Sequence, residues 1–336
     1  MGSLLEPNRP LKIWLNHPRK RVAQGIKMDH RKTLDGQAMG MMVVLCMIWG
    51  IQQVALKAAA IDVSPLFQIA IRSGVAALLV GLLMMRQGVR LAAGDGTVRP
   101  GLLVGFFFAL EFLLIGEGLR FTSASHTVVF LYTAPLFVAI ALHWKLPSER
   151  LATVQWFGVA LAFGGIVITF LGRGQPSREH PNVLWGDFLA LMAGIAWAAT
   201  TVAVRLSNLA KAPATKTLFY QLAIGFILLM LATMALGQTG FKPTPIVWAS
   251  LLFQSLIVSF LSYLAWFWLL RRYLASRIGV FSFLTPLFGV AFGVLLLDEP
   301  LEPGFLAGAI LVCTGILLVS GYGWIKMTRA KINGAP

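Results

Sequence analysis

Long, continuous apolar runs separated by short polar segments make up most of this chain. Ten of the runs reach the ~20 residues that a helix needs to cross a bilayer core of ~30 Å. They do not show the alternating ten-residue pattern of a membrane β-barrel. The predicted fold class is therefore all-α: a polytopic membrane protein with ten transmembrane helices. The predicted spans, numbered 1 to 10, are residues 38–58, 64–85, 100–120, 123–144, 152–171, 183–204, 216–236, 246–269, 275–297 and 303–324.

The apolar pattern is duplicated at an offset of 150 or 151 residues. The pairs are Ala124 and Ala275, Ser125 and Ser276, Pro135 and Pro286, Glu149 and Glu299, Gly158 and Gly308, and Gly165 and Gly315. Earlier in each half, an offset of 148 relates Trp49 and Lys57 to Trp197 and Arg205. A unit of this length is too long for a solenoid repeat. Because each half holds five spans, an odd number, the second half should enter the membrane upside down, with a site near the midplane between the halves.

Composition and charge support a membrane protein and give it an orientation. The chain is 57% hydrophobic and 12% charged, about half the charged share of a soluble domain. The net charge of +15 does not indicate nucleic-acid binding, because the basic residues lie in short loops and in the tails. Of the 28 Lys and Arg residues, 22 fall on the side of the N-terminus, five on the other side, and Arg72 lies within span 2. Both termini are therefore predicted to be cytoplasmic.

The spans divide the chain into two repeats and two tails. Residues 1–36 are polar and basic and contain Pro7, Pro10 and Pro18, so they are predicted to be a disordered cytosolic tail. No apolar segment with a small-residue cleavage site follows, which argues against a cleaved signal peptide; Met28 is an alternative start. The first repeat covers residues 38–171 and the second covers 183–324, followed by a cytosolic tail at 325–336. The lipid bilayer is the expected environment, and no metal or cofactor motif is found.

Several paired motifs give the chain a resemblance to a known family. Each half has Trp-Gly or Trp-Ala in its first helix, Ala eleven residues before Pro in its fourth, and Glu-x-Leu before its fifth. Residues 38–324 resemble the EamA branch of the drug/metabolite transporter superfamily. The resemblance implies a bacterial inner-membrane exporter of small metabolites or amino acids, with the first four helices of each half around a central cavity. The first half departs from the pattern at His143-Trp144-Lys145.

Two charged residues at membrane depth are the main candidates for substrate binding or coupling. Glu111 lies in the middle of span 3, where an ionised side chain costs ~2.5–3.5 kcal/mol on insertion scales, so it should face a cavity or a partner. It is a candidate carrier of a proton or a substrate amine. Arg72 lies at a depth between Glu111 and Glu117, and a long side chain could reach either. We expect a pair of Arg72 with Glu111 that exchange of a proton or substrate disrupts; a pair that fixes helix packing is the alternative.

Polar, aromatic and proline residues inside the spans complete the candidate site. The additional substrate-binding candidates are Trp49, Gln53, Tyr132, Trp197, Tyr220, Gln221 and Tyr263. Tyr220 follows Trp197 by the 23 residues that separate Arg72 from Trp49. Pro135 and Pro286, each expected to free the carbonyl four residues back, are candidate hinges. Lys57, Arg205, Arg271 and Arg272 are expected to be interfacial anchors.

Glycines along spans 5 and 10 predict close helix packing, within one protomer or as a homodimer face. No ATPase motif is found, so a secondary active transporter, proton-coupled or exchange-driven, is the leading interpretation. A nucleotide-sugar or phosphate exchanger shares this architecture, but a second deep basic residue beside Arg72 would be expected. An intramembrane enzyme would need clustered ligands or a nucleophile–base pair, and a non-transporting receptor would tolerate loss of Glu111 and Arg72.

Overall fold

A computed structural model of the chain describes residues 31–32, 34–122, 124–170, 182–297 and 304–332. Residues 1–30 of the predicted disordered tail lie outside the described residues, and so does Glu299. The described part is nearly all helical, and its β-structure is limited to two isolated bridges. The α-helices are α1 Gly36–Ala58, α2 Pro65–Arg86, α3 Val98–Gly118, α4 Ala124–Leu131, α5 Ala134–Lys145, α6 Thr153–Phe170, α7 Val183–Leu206, α8 Ala214–Ala235, α9 Pro245–Leu252, α10 Tyr263–Arg272, α11 Ala275–Ile278, α12 Leu284–Leu297 and α13 Gly304–Ile332.

These helices form ten segments that are long and apolar enough to cross a membrane, which confirms the predicted fold class. Span 4 combines α4 and α5, span 8 combines α9 and α10, and span 9 combines α11 and α12. The last helix continues to Ile332, past the predicted end of span 10. We call the side of the bundle where α1 begins the N-terminal face, and the other side the distal face.

Local capping explains where the first spans begin. The Asp35 side chain accepts a hydrogen bond from the backbone N–H of Ala38 (2.8 Å), which satisfies a donor that the first turn leaves unpaired. Ser64 does the same for Phe67 (3.2 Å), and Pro65 takes the first helical position, where no N–H is needed. Asp35 is in turn held by the Tyr273 hydroxyl (2.8 Å). The last residues of the predicted disordered tail are therefore fixed to the bundle.

Spans 4 and 9 keep their predicted length, but each is interrupted before its proline. α4 ends at Leu131 and α5 begins at Ala134, which places Pro135 in the first turn of a new helix. In span 9 a 3₁₀ segment, Gly279–Phe283, separates α11 from α12, and Pro286 lies in the first turn of α12. Proline is tolerated there because the first turn lacks intrahelical acceptors for its N–H groups.

The two halves pack partly through α6 and α13, an antiparallel pair that glycine allows to approach closely. A Cβ on Gly158 would lie 2.8 Å from the Gly315 carbonyl oxygen, and one on Gly165 would lie 2.6 Å from that of Gly308. As residue numbers rise along α6 they fall along α13, so these equivalent spans run antiparallel, as an inverted relation between the halves requires. The glycines are used inside the protomer, and a homodimer through spans 5 and 10 would need their other faces.

Candidate functional site

A cavity of about 690 Å³ lies among the spans of both halves; we call it the central cavity. Its rim contains exposed residues from the distal ends of α1 and α3, including Lys57, Ala60 and Leu119, together with Ala124 at the start of α4. Its inner end is walled by Tyr132, Trp197, Thr285 and Pro286 from spans 4, 6 and 9. The cavity therefore opens towards the distal face and ends inside the bundle.

Most of the predicted site residues line this cavity. They are Glu111, Trp49, Gln53, Tyr132, Trp197, Gln221, Tyr263 and Pro286. Pro135 does not line it but borders a small adjoining pocket of about 20 Å³, with which the central cavity shares Trp197, Thr201 and Trp266. This pocket continues from the inner end of the cavity towards Ala275 on the N-terminal face.

Tyr220 is placed away from the cavity. Its ring packs against span 3, where a Cβ on Gly101 would collide with it. Its hydroxyl lies 3.3 Å from the hydroxyl of Thr97. Thr97 also donates to Asp95, which pairs with Lys216. These contacts hold the pKa of Asp95 down at about 2. The matched spacing of Tyr220 and Arg72 in the two halves therefore does not bring both into one site.

Arg72 is completely buried just behind the cavity wall. Its Nη1 donates to the Gln254 side-chain oxygen (3.2 Å) and its Nη2 to the Tyr263 hydroxyl (3.3 Å), while its buried Nε has no hydrogen-bond partner. Its guanidinium lies over the ring of Phe112, 5.6 Å from the centroid. In the described part of the chain, no ion pair joins Arg72 to Glu111, so the expected close pair is not formed.

A chain of buried side chains fixes the partners of Arg72. The Gln254 amide donates to the Gln68 side-chain oxygen (2.9 Å) and to the Ser250 hydroxyl (2.7 Å). Gln68 in turn donates to the Val63 carbonyl (2.9 Å). Because every amide here has a partner, the network can persist in a low-dielectric interior, and it sets the position of the guanidinium between spans 2 and 8.

An unusual helical winding brings Gln254 and Tyr263 to the same side of span 8. Phe253–Ser262 forms a π-helix, a rare winding that is frequently found at functional sites. At 3.6 residues per turn, nine residues would cover 2.5 turns and put the two side chains on opposite faces. At the ~4.4 residues per turn of the wider i→i+5 winding, nine residues cover about two turns. Both side chains can therefore reach Arg72.

The two acidic residues of span 3 differ in environment. Glu111 lines the cavity, whereas Glu117 forms an exposed ion pair with Arg120 (2.9 Å). An exposed pair of this kind is worth ~0–1 kcal/mol. The structure therefore separates the two carboxylates that the sequence left as alternative partners of Arg72.

Aromatic rings form much of the cavity wall. Trp49 packs edge-on against Trp266, with centroids 5.9 Å apart, and its indole N–H donates to the Ser262 hydroxyl (2.9 Å). Tyr132 packs edge-on against Trp197 at 5.4 Å. These contacts hold the rings at fixed angles, so they can act as rigid walls for an apolar part of a ligand.

Glu149 lies in a buried polar cluster at the N-terminal face of the bundle. It accepts hydrogen bonds from Nε of Arg205 (2.8 Å) and from Nη2 of the same side chain, and both side chains are fully excluded from solvent. It also accepts from the backbone N–H groups of Ala275 and Ser276 (3.0 Å each) and from the Ser276 hydroxyl (2.6 Å). We call these four residues the Glu149 cluster.

The Glu149 cluster corrects the prediction for Arg205 and links the two halves of the chain. Arg205 is not an interfacial anchor, because it lies inside the bundle and binds Glu149. The cluster joins the loop after span 4 to the ends of spans 6 and 9, which links the first half to the second. Glu149, Arg205 and Ala275 each occupy a position that the repeat relates to its equivalent in the other half. Their contact with one another was not predictable, because they lie far apart in sequence.

Comparisons with known proteins agree with this architecture. The model of the EamA-like transporter family matches residues 37–171 and 184–321. An uncharacterized transporter of Bacillus subtilis, YoaV, is 24% identical over 284 residues, which are 82% of this chain and 94% of the relative. A probable amino-acid metabolite efflux pump of Escherichia coli is 28% identical over 299 residues, 85% of this chain and 96% of the relative. A solved crystal structure with 18% identity matches with a TM-score of 0.73 and covers 84% of this chain and 98% of its own, which supports the fold.

Proposed function

The chain belongs to the EamA-like transporter family, and from this premise we propose that it is a secondary active exporter of small metabolites or amino acids that works by alternating access. Membership makes it a multi-pass membrane transporter and not an enzyme. The observation that carries the proposal is a cavity of about 690 Å³ that opens at the distal face and ends inside the bundle, while the buried Glu149 cluster joins the two halves at the N-terminal face.

The proposed cycle follows from this geometry. Opening the N-terminal face requires separation of Arg205 and Ser276 from Glu149, which would extend the cavity through the small pocket beside Pro135. Glu111, as a carboxylate in the cavity wall, is the proposed carrier of a proton or of a substrate amine. The distribution of basic residues supports an orientation with both termini in the cytoplasm of a bacterial cell, so the open distal face would be outside the inner membrane.

Transport in proteoliposomes tests the function. The purified chain is reconstituted, loaded with labelled amino acids and common metabolites in turn, and assayed for efflux and counterflow with and without a pH gradient. We expect a flux above that of protein-free liposomes for at least one substrate. No protein-dependent flux of any of them would contradict the proposal.

Sidedness is measured separately. In a chain whose Cys46 and Cys313 are replaced by alanine, Leu119→Cys at the rim is exposed to an impermeant maleimide. We expect labelling in intact cells and not in sealed inside-out vesicles. The reverse pattern would contradict the proposed orientation, whatever the transport assay gives.

A further inference from the structure

The charge of Arg72 reaches the central cavity through the hydroxyl of Tyr263. We propose that this hydroxyl, backed by Arg72, binds a substrate carboxylate while Glu111 binds the ammonium group of the same molecule, so that the cavity selects α-amino acids over amines or acids of the same shape. The inference rests on the proposed export function and names its substrate class. It makes Tyr263 and Glu111 contact residues and Arg72 a positioning residue.

The hydrogen-bond geometry favours an anion at Tyr263. Its hydroxyl oxygen accepts from Nη2 of Arg72 (3.3 Å), which leaves the phenolic proton free to be donated to another group. A hydroxyl that accepts from a charged donor becomes a better donor itself, because linked hydrogen bonds polarise one another. Tyr263 lines the cavity, so the acceptor for this proton can be a ligand.

The charge balance around Arg72 points the same way. A buried guanidinium is costly unless a negative group compensates for it. In the part of the chain that the structure describes, the hydrogen-bond partners of Arg72 are the neutral Gln254 and Tyr263, and its Nε has none. A carboxylate bound at the Tyr263 hydroxyl would place the compensating charge close to Arg72 without exposing the guanidinium.

Glu111 provides a second, oppositely charged end of the same subsite. It lines the cavity from span 3, on the helix turn that also carries Phe108 and Phe112. Both neighbours contact the other end of the subsite: Phe108 packs edge-on against Tyr263, with centroids 6.4 Å apart, and the Arg72 guanidinium lies over the Phe112 ring. An ionised carboxylate only accepts hydrogen bonds, so an ammonium group with its three donors is a suitable ligand. An α-amino acid carries both groups on one carbon atom and can satisfy both ends at once.

Three ligands with the same apolar body separate the two ends. They are leucine, 3-methylbutylamine, which lacks the carboxylate, and 4-methylpentanoate, which lacks the amine. Their dissociation constants for the purified full chain are measured by quenching of its tryptophan fluorescence, since Trp49, Trp197 and Trp266 line the cavity. The variants are Tyr263→Phe, Arg72→Lys, Arg72→Met and Glu111→Gln, with Tyr322→Phe as a matched control outside the lining residues.

We expect wild type to bind leucine more tightly than either analogue. Tyr263→Phe should weaken the binding of leucine and of 4-methylpentanoate about tenfold, the order for a hydrogen bond to a charged group. It should change the dissociation constant of 3-methylbutylamine less than twofold. Glu111→Gln should weaken the binding of leucine and of 3-methylbutylamine, but not the binding of 4-methylpentanoate. Arg72→Met should show the same pattern of affinities as Tyr263→Phe. Arg72→Lys should retain part of the preference for ligands with a carboxylate, because it keeps the charge. Tyr322→Phe should bind all three ligands as wild type does.

Several results would overturn the proposal. An equal loss for all three ligands in Tyr263→Phe would make the residue part of the wall and nothing more, and the same pattern in Arg72→Lys would assign Arg72 to helix packing alone. Binding of none of the three ligands by wild type would also overturn it. Transport of other metabolites without this binding pattern would leave the export function standing and reject the subsite. Selective binding without any flux would support the subsite and contradict the export function.

Discussion

The carboxylate of Glu149 and the guanidinium of Arg205 form an ion pair that is fully excluded from solvent at the N-terminal face. Removing one partner of a buried pair leaves an uncompensated charge and costs ~3–5 kcal/mol, whereas replacing both by apolar groups of similar size can be nearly neutral. The pair also joins the two halves, so its loss should affect both stability and closure.

We therefore expect Arg205→Met to lower the thermal stability of the purified chain strongly, because it leaves Glu149 charged and buried. Glu149→Gln should destabilise it as well. The double variant Glu149→Gln/Arg205→Met should recover part of the loss. The measurement is unfolding temperature in one detergent, analysed as a double-mutant cycle. Additive losses in the double variant would show that the two side chains do not act as a pair.

The glycine contacts between spans 5 and 10 predict a position-specific effect. Gly165→Ala places a Cβ 2.6 Å from the Gly308 carbonyl oxygen, and relieving such overpacking typically costs ~1–3 kcal/mol. Gly164→Ala is the matched control, because its Cβ would meet nothing within 4 Å. We expect a lower unfolding temperature for Gly165→Ala and no loss for Gly164→Ala. Equal effects of the two variants would be evidence against this packing.

Glu111 and Glu117 give a matched pair for coupling. Glu111→Gln removes the ionisable group from the cavity wall, so efflux driven by a pH gradient should fall at least tenfold and lose its dependence on pH. Glu117→Gln, altering an exposed ion pair, should stay within about twofold of wild type. Flux in proteoliposomes at several pH values provides the measurement. Unchanged pH dependence in Glu111→Gln would remove this residue from the coupling step.

Pro135 tests the predicted hinge in span 4. Pro135→Ala restores an N–H group and allows α4 and α5 to join, so we expect a stiffer span 4, an equal or higher unfolding temperature and slower flux. Pro245→Ala is the control, because Pro245 begins α9, where the missing N–H is not needed. Normal flux in Pro135→Ala would mean that the break in the helix is static.

Hydrophobicity and repetition were sufficient to predict the ten spans, and most boundaries lie within three residues of the structure. Such signals are local, because each span must be apolar over a length set by the bilayer. Breaks and windings were harder to predict. Pro135 marked span 4 as a candidate hinge, but the end of α4 at Leu131 was not predicted, and the sequence of the π-helix Phe253–Ser262 reads as an ordinary apolar run.

The candidate site was predictable where single residues are costly in lipid. Glu111 and the deep aromatics stand out for this reason, and the cavity brings them together. The Glu149 cluster and the Gln254–Gln68 network were not predicted, because they depend on contacts between residues more than 50 positions apart. Polar residues in apolar runs, such as Gln68 and Gln254, were a signal that could have led to the network. Tyr220 shows the limit of repeat symmetry, since its position matches Arg72 in sequence and not in surroundings.

The winding of span 8 also determines which sequence changes it can accept. Exchange of one aliphatic residue for another upstream of Tyr263 leaves the direction of that side chain intact. Deletion of a single residue there would turn the whole remainder of the helix, Tyr263 to Arg272, by roughly 80–100°. Tyr263 would then swing away from Arg72. In this span, length variation should therefore be far more damaging than substitution.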